Sequence, residues 1–65
     1  MDYEMTVTYK NEEVDVFNVP FGAHDLFQFI SMELDAIIFD DEDGKEQVIY
    51  QSAIQKITFR DKDDD

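Results

Sequence analysis

The sequence predicts an α+β fold: a small antiparallel sheet of two hairpins in the order ββαββ, closed by a fifth short strand, with one helix packed on one face. Three observations predict it. Apolar and polar residues alternate from Tyr3 to Lys10, the period-two mark of a half-buried strand. Asp43-Gly44, a favoured hairpin-turn pair, sits between two apolar runs. Between these regions Ala23, Leu26, Phe27, Ile30 and Leu34 recur at helical spacing.

The first hairpin spans residues 3 to 19. With Asn11-Glu12 as its turn, Tyr9 faces Val14 and Val7 faces Val16 on one side. On the other side Lys10 faces Glu13, Thr8 faces Asp15 and Thr6 faces Phe17, so both faces are chemically consistent. Pro20 and Gly22 then punctuate the chain. A helix is expected from about Ala23 to Leu34, with Asp25 as its N-cap and Phe29 and Met32 beside the apolar stripe. In the second hairpin, a type I′ turn at Asp43-Gly44 sets Phe39 against Val48, Ile37 against Tyr50 and Ile38 against Ile49. One helical turn over Ser52–Gln55 and a short strand over Ile57–Phe59 complete a single domain, residues 1–60. Residues 61–65 are expected to be a disordered acidic tail.

Composition narrows the function. The 65 residues make one small core, and the absence of cysteine removes disulfide staples and cysteine-based zinc sites. Chains of this size draw support from a metal or a partner subunit instead. No apolar run reaches the length of a leader or a membrane span, which points to a soluble, cytoplasmic protein with no membrane partner. Seventeen acids against five bases give a net charge of −12, and the stretch between Lys10 and Lys45 holds ten acids and no cation. Such a surface repels phosphates, which argues against direct nucleic-acid binding, and attracts basic proteins.

Candidate sites follow from the same residues. On an EF-hand loop Gly44 would take the sixth position and Asp41 and Asp43 the third and fifth. Phe39 and Tyr50 would then fall where the first and twelfth ligands belong, so no metal site is expected. His24 stands alone at the expected helix start, and no GxSxG, P-loop or GxGxxG motif is present, so neither catalysis nor a cofactor is expected. Carboxylates at i and i+2 on a strand, such as Glu13 with Asp15, lie about 6.7 Å apart, comparable with neighbouring phosphates. Their repulsion in water costs roughly 0.6 kcal/mol, which a fold can carry.

The function expected on these grounds is a small acidic protein-binding module. It would act as an inhibitor of the DNA-mimic type, occupying the basic nucleic-acid-binding surface of another protein. Glu12, Glu13, Asp15, Asp40, Asp41, Glu42 and Asp43 would replace phosphates, with Phe29 and Met32 as apolar anchors. In size and composition the chain resembles the inhibitors that bacteriophages make against host nucleases and defence proteins, which would place it in the bacterial host cell. The alternative is an oligomerising accessory protein, a homodimer or larger homo-oligomer, joined through Ile38 and Ile49 and solubilised by its acids. The segment AIIFDDEDGKEQVIYQSAIQKITF, residues 36–59, resembles the last strands of Sm-like RNA-binding proteins. Their Tyr-Lys-His-Ala-Ile run has the counterpart Tyr50-Gln51-Ser52-Ala53-Ile54, with Gln51 and Ser52 replacing the RNA-binding Lys and His. That resemblance implies a ring-forming fold without its RNA site.

Overall fold

The structure, a computed structural model, describes residues 2–62. The described residues hold two three-stranded antiparallel sheets around one core and no packed α-helix, which corrects the expected ββαββ arrangement. β1 (Tyr3–Tyr9) lies between β2 (Val14–Val19) and β6 (Ile54–Asp61) in the first sheet. β4 (Ala36–Asp40) lies between β3 (Ile30–Ser31) and β5 (Glu46–Tyr50) in the second. β6 is longer than the expected three-residue strand and continues through Asp61; the final acids 63–65 of the expected tail lie outside the described residues.

Both hairpins are shifted by one residue from the expected pairing. In the first, Thr8 faces Val14, Val7 faces Asp15 and Met5 faces Phe17. In the second, Ile37 faces Ile49, Ile38 faces Val48 and Phe39 faces Gln47. The cause is the same three-residue loop in each. Glu12 N–H donates to Tyr9 C=O and Tyr9 N–H to Glu13 C=O, both at 2.9 Å. Gly44 N–H donates to Asp41 C=O at 3.0 Å and Asp41 N–H to Lys45 C=O at 2.9 Å. Each loop is a turn followed by a left-handed residue, Glu12 at φ 73° and Gly44 at φ 80°, which inserts one residue relative to a two-residue turn. Because side chains alternate, a one-residue slip exchanges the faces. Val14 and Val16, expected on the face of Tyr9 and Val7, stand on the opposite, exposed face, and Ile49, expected against Ile38, pairs with Ile37 in the core.

The segment expected as an α-helix is a 3₁₀ helix, Ala23–Phe29, followed by β3 and a turn at residues 32–35. Its residues are rich in aromatic and other weak helix formers, and an isolated helix this short is marginal. With three residues per turn, Ala23, Leu26 and Phe29 share one row. Leu26 and Phe29 are accordingly half-buried while Phe27 is 69% exposed. Asp25 is not the N-cap: Gly22 holds that position without a side-chain bond, and Asp25 N–H donates to Gly22 C=O at 3.1 Å. A Cβ at Gly22 would press on the Tyr3 ring at 3.1 Å, so a larger residue there requires the ring to shift by a few tenths of an ångström.

Met5, Val7, Val19, Phe21, Ile37, Phe39 and Ile49 form the buried core, drawn from both sheets. Phe21 links its parts: it stacks on Phe29 with centroids 4.1 Å apart and meets Phe39 edge-on at 6.0 Å. Each such side chain contributes about 1.5–3 kcal/mol when fully buried. The second 3₁₀ turn, Gln51–Ala53, carries the chain from β5 into β6, and Lys10 N–H fastens it by donating to Ala53 C=O at 2.9 Å. No helix among the described residues is long and apolar enough to cross a membrane.

Candidate functional site: two acidic ends of one strand

The acids expected as phosphate substitutes gather in two places, one at each end of β2. At the first, Tyr9, Lys10, Asn11, Glu13, Asp15, Ser52 and Ala53 line a hollow of about 410 Å³. The Tyr9 hydroxyl donates to Asp15 Oδ2 at 2.8 Å. Desolvation of the ring, then the bond to Asp15 and the charges of Asp15 and Glu13, push the Tyr9 phenol up to about 12. Asn11 Oδ1 accepts Glu13 N–H at 3.0 Å and fixes the turn, leaving Glu12 exposed at its tip.

At the far end of β2, Asp2, Asp40, Asp41 and Glu42 surround Val19 and Pro20 in a hollow of about 380 Å³. None of its lining side chains is basic; Lys62 Nζ donates to the Asn18 amide oxygen there at 2.9 Å. Asp40 also faces Glu46 across the β4–β5 ladder, a like-charge pair that opposes the fold. Asp41 differs from its neighbours. Its Oδ1 accepts the N–H groups of Asp43 and Lys45, both at 3.0 Å, and its Oδ2 accepts Gln47 Nε2 at 2.8 Å. The Gln47 bond first, then the backbone bonds, hold its carboxyl below the ordinary carboxylate range. Asp41 therefore builds the turn, while Asp40, Glu42 and Asp43 are exposed around it.

The expected apolar anchors separate. Phe29 is committed to its stack on Phe21, and Met32, 91% exposed, stands on the β3–β4 turn and lines neither hollow. The expected self-association pair also separates. Ile49 is buried, and Ile38 faces Val48 on the outer side of the second sheet. Among the described residues no group of three or more His, Cys, Asp or Glu side chains is placed to hold a metal ion.

The sequence suggests Asp2 beside Glu4 on one strand face, but neither its meeting with Asp40 and Glu42 nor the place of Tyr9 beside Asp15. Asp2 meets Asp40 and Glu42 only because β1 pairs with β2 and the second sheet closes over its end, an arrangement without a local sequence signal. No family model, curated protein or solved structure matches this chain.

Proposed function

We propose that the protein is a small acidic module without catalytic activity that occupies a basic, nucleic-acid-binding surface of another protein. One observation carries the reading: four acids converge on a hollow lined by no base, beside a cross-strand Asp40–Glu46 pair. A like-charge pair of this kind costs about 0.2–1 kcal/mol and gains nothing within the fold. Against a basic groove the same carboxylates replace phosphates and release the groove's counterions. The phosphate substitutes are then Asp2, Asp40, Glu42, Asp43, Glu12, Glu13 and Asp15, with Asp41 holding the turn that presents its neighbours.

The test is affinity capture from a bacterial lysate with a salt gradient, read by mass spectrometry. It is repeated with a variant carrying Asp40→Lys, Glu42→Lys and Asp43→Lys and leaving Asp41 intact. The reading expects a nucleic-acid-handling protein that moderate salt releases, that added DNA displaces and that the variant fails to capture. Capture indifferent to salt and to charge reversal would sink it.

A second reading has its own observation. Ile38, Val48 and Tyr50 lie on the outer face of the second sheet, with Val48 and Tyr50 exposed, and such a patch suits a subunit contact. On that reading Val48→Asp shifts the sedimentation coefficient to that of a monomer and leaves the fold intact. Ile49→Asp does not discriminate, because a charge at this buried site unfolds the chain.

A further inference from the structure

β2 is an edge strand: it pairs with β1 on one side, and nothing pairs with its other side among the described residues. The direction of its free groups follows from the turn. Tyr9 N–H bonds Glu13 C=O, so alternation makes Val7–Asp15, Met5–Phe17 and Tyr3–Val19 the mutually bonded pairs. The N–H and C=O groups of Val14, Val16 and Asn18 therefore point away from β1. On the outer face beside them Val14 and Val16 are 54% and 56% exposed.

Proteins usually blunt such an edge with lysine, proline or a very short strand. β2 has six residues and contains neither lysine nor proline. Two of the other edges differ: β3 has two residues, and β6 carries Lys56 and Arg60. β5, of five residues, is a second edge without lysine or proline, and β2 is distinguished from it by its length and by the acidic clusters at both of its ends. β2 is about 17 Å long at the usual rise per residue. Glu13 and Asp15 lie at its start, and Asp40, Asp41 and Glu42 lie beyond its end.

We propose that the free edge of β2 docks an extended basic strand of the partner protein, which joins the first sheet as a fourth strand. The inference rests on the acidic-module reading and adds the mode of contact. Backbone hydrogen bonds to Val14, Val16 and Asn18 supply the pairing. Apolar side chains of the incoming strand cover Val14 and Val16. Alternate cationic side chains lie on the Asp15 side and reach the two acidic ends. Charge selects this occupant over a second copy of the chain, since two molecules of net charge −12 repel and the β2 edge carries no cation.

The probe is a fluorescein-labelled peptide of alternating lysine and valine long enough to span β2, titrated by anisotropy into the full chain. Peptides N-methylated on one or the other alternate set of amides serve as controls, since one set faces β2. The expected result is saturable binding that one methylated set weakens by about tenfold or more. Hydrogen exchange at Val14, Val16 and Asn18 slows on binding, and Val16→Pro weakens binding to the same degree. Equal binding by all three peptides, or by none, overturns the inference. So does exchange protection of those amides without peptide, together with an assembly that Val16→Pro dissolves, because the occupant is then a second copy. A salt-sensitive basic partner retained by Val16→Pro overturns edge docking alone and leaves the acidic-module reading standing. Loss of that partner from the unaltered chain removes the reading itself.

Discussion

Glu12 and Gly44 occupy the same place in two copies of one loop, and they bear it at different cost. Both are left-handed, but a side chain in that region costs roughly 1–2 kcal/mol that glycine avoids. A Cβ on Gly44 would meet no atom within 4 Å, so the difference is one of backbone alone. Glu12→Gly should therefore stabilise the protein by about 1 kcal/mol, and Gly44→Ala should destabilise it by a similar amount. In thermal melts that is a rise and a fall of roughly 4–8 °C for a domain of this size. Three residues back, Tyr9 makes a pH prediction. Its folded phenol, at about 12, lies above the ordinary value of 10, so the fold favours the protonated ring. That stabilisation is complete below pH 10 and is lost as pH rises towards 12. Denaturation followed across this window should show a steeper alkaline decline for the unaltered chain than for Tyr9→Phe.

At the scale of the element, the 3₁₀ helix shows what period counting misses. On an α-helix Phe27 lies within the apolar stripe and Phe29 beside it; on the observed helix their roles exchange. Phe29→Ala should cost about 2–3 kcal/mol, through lost burial and the lost stack on Phe21, while Phe27→Ala should stay within about 0.5 kcal/mol. Equal costs measured by urea denaturation would contradict the 3₁₀ geometry. β1, β2, β4 and β5 were legible, because alternation at Tyr3–Tyr9 and the apolar runs around Asp43-Gly44 are local signals, whereas β3 reads in sequence as helix and β6 as three residues only. Their register was not. It turns on whether a loop holds two residues or three, and either choice places a left-handed residue at positions 12 and 44, so Glu12 and Gly44 do not discriminate between them. That single residue decided which face Val14, Val16 and Ile49 occupy, and with it the self-association surface. The acidic clusters were legible as sequence, while their placement at opposite ends of β2 needed the pairing of β1 with β2 and the closing of the second sheet.

For the whole molecule, charge predicts opposite salt dependences for stability and for binding. With 17 acids and five bases, the sum of pair interactions is repulsive, and Asp40 opposite Glu46 is its most local instance. Raising sodium chloride from about 0.01 to 1 M shortens the Debye length from roughly 30 to 3 Å. The melting temperature should rise, by the equivalent of about 1 kcal/mol or more if a few pairs each relieve 0.2–1 kcal/mol. On the proposed reading, affinity for a basic partner should fall over the same range, because counterion release loses its advantage. A melting temperature that falls with salt would mean that attractive pairs such as Arg60–Glu4, at 3.5 Å, outweigh the repulsion. Acid is not equivalent to salt. Protonation also relieves repulsion, but Asp41 is held below its ordinary value of 3.8, so it stabilises the fold above that pH and the contribution is lost as pH falls through its lower folded value. Salt spares the Asp41 turn and acid dismantles it. Asp41→Asn should therefore start less stable at neutral pH and show a shallower acid limb, while its response to sodium chloride stays close to that of the unaltered chain.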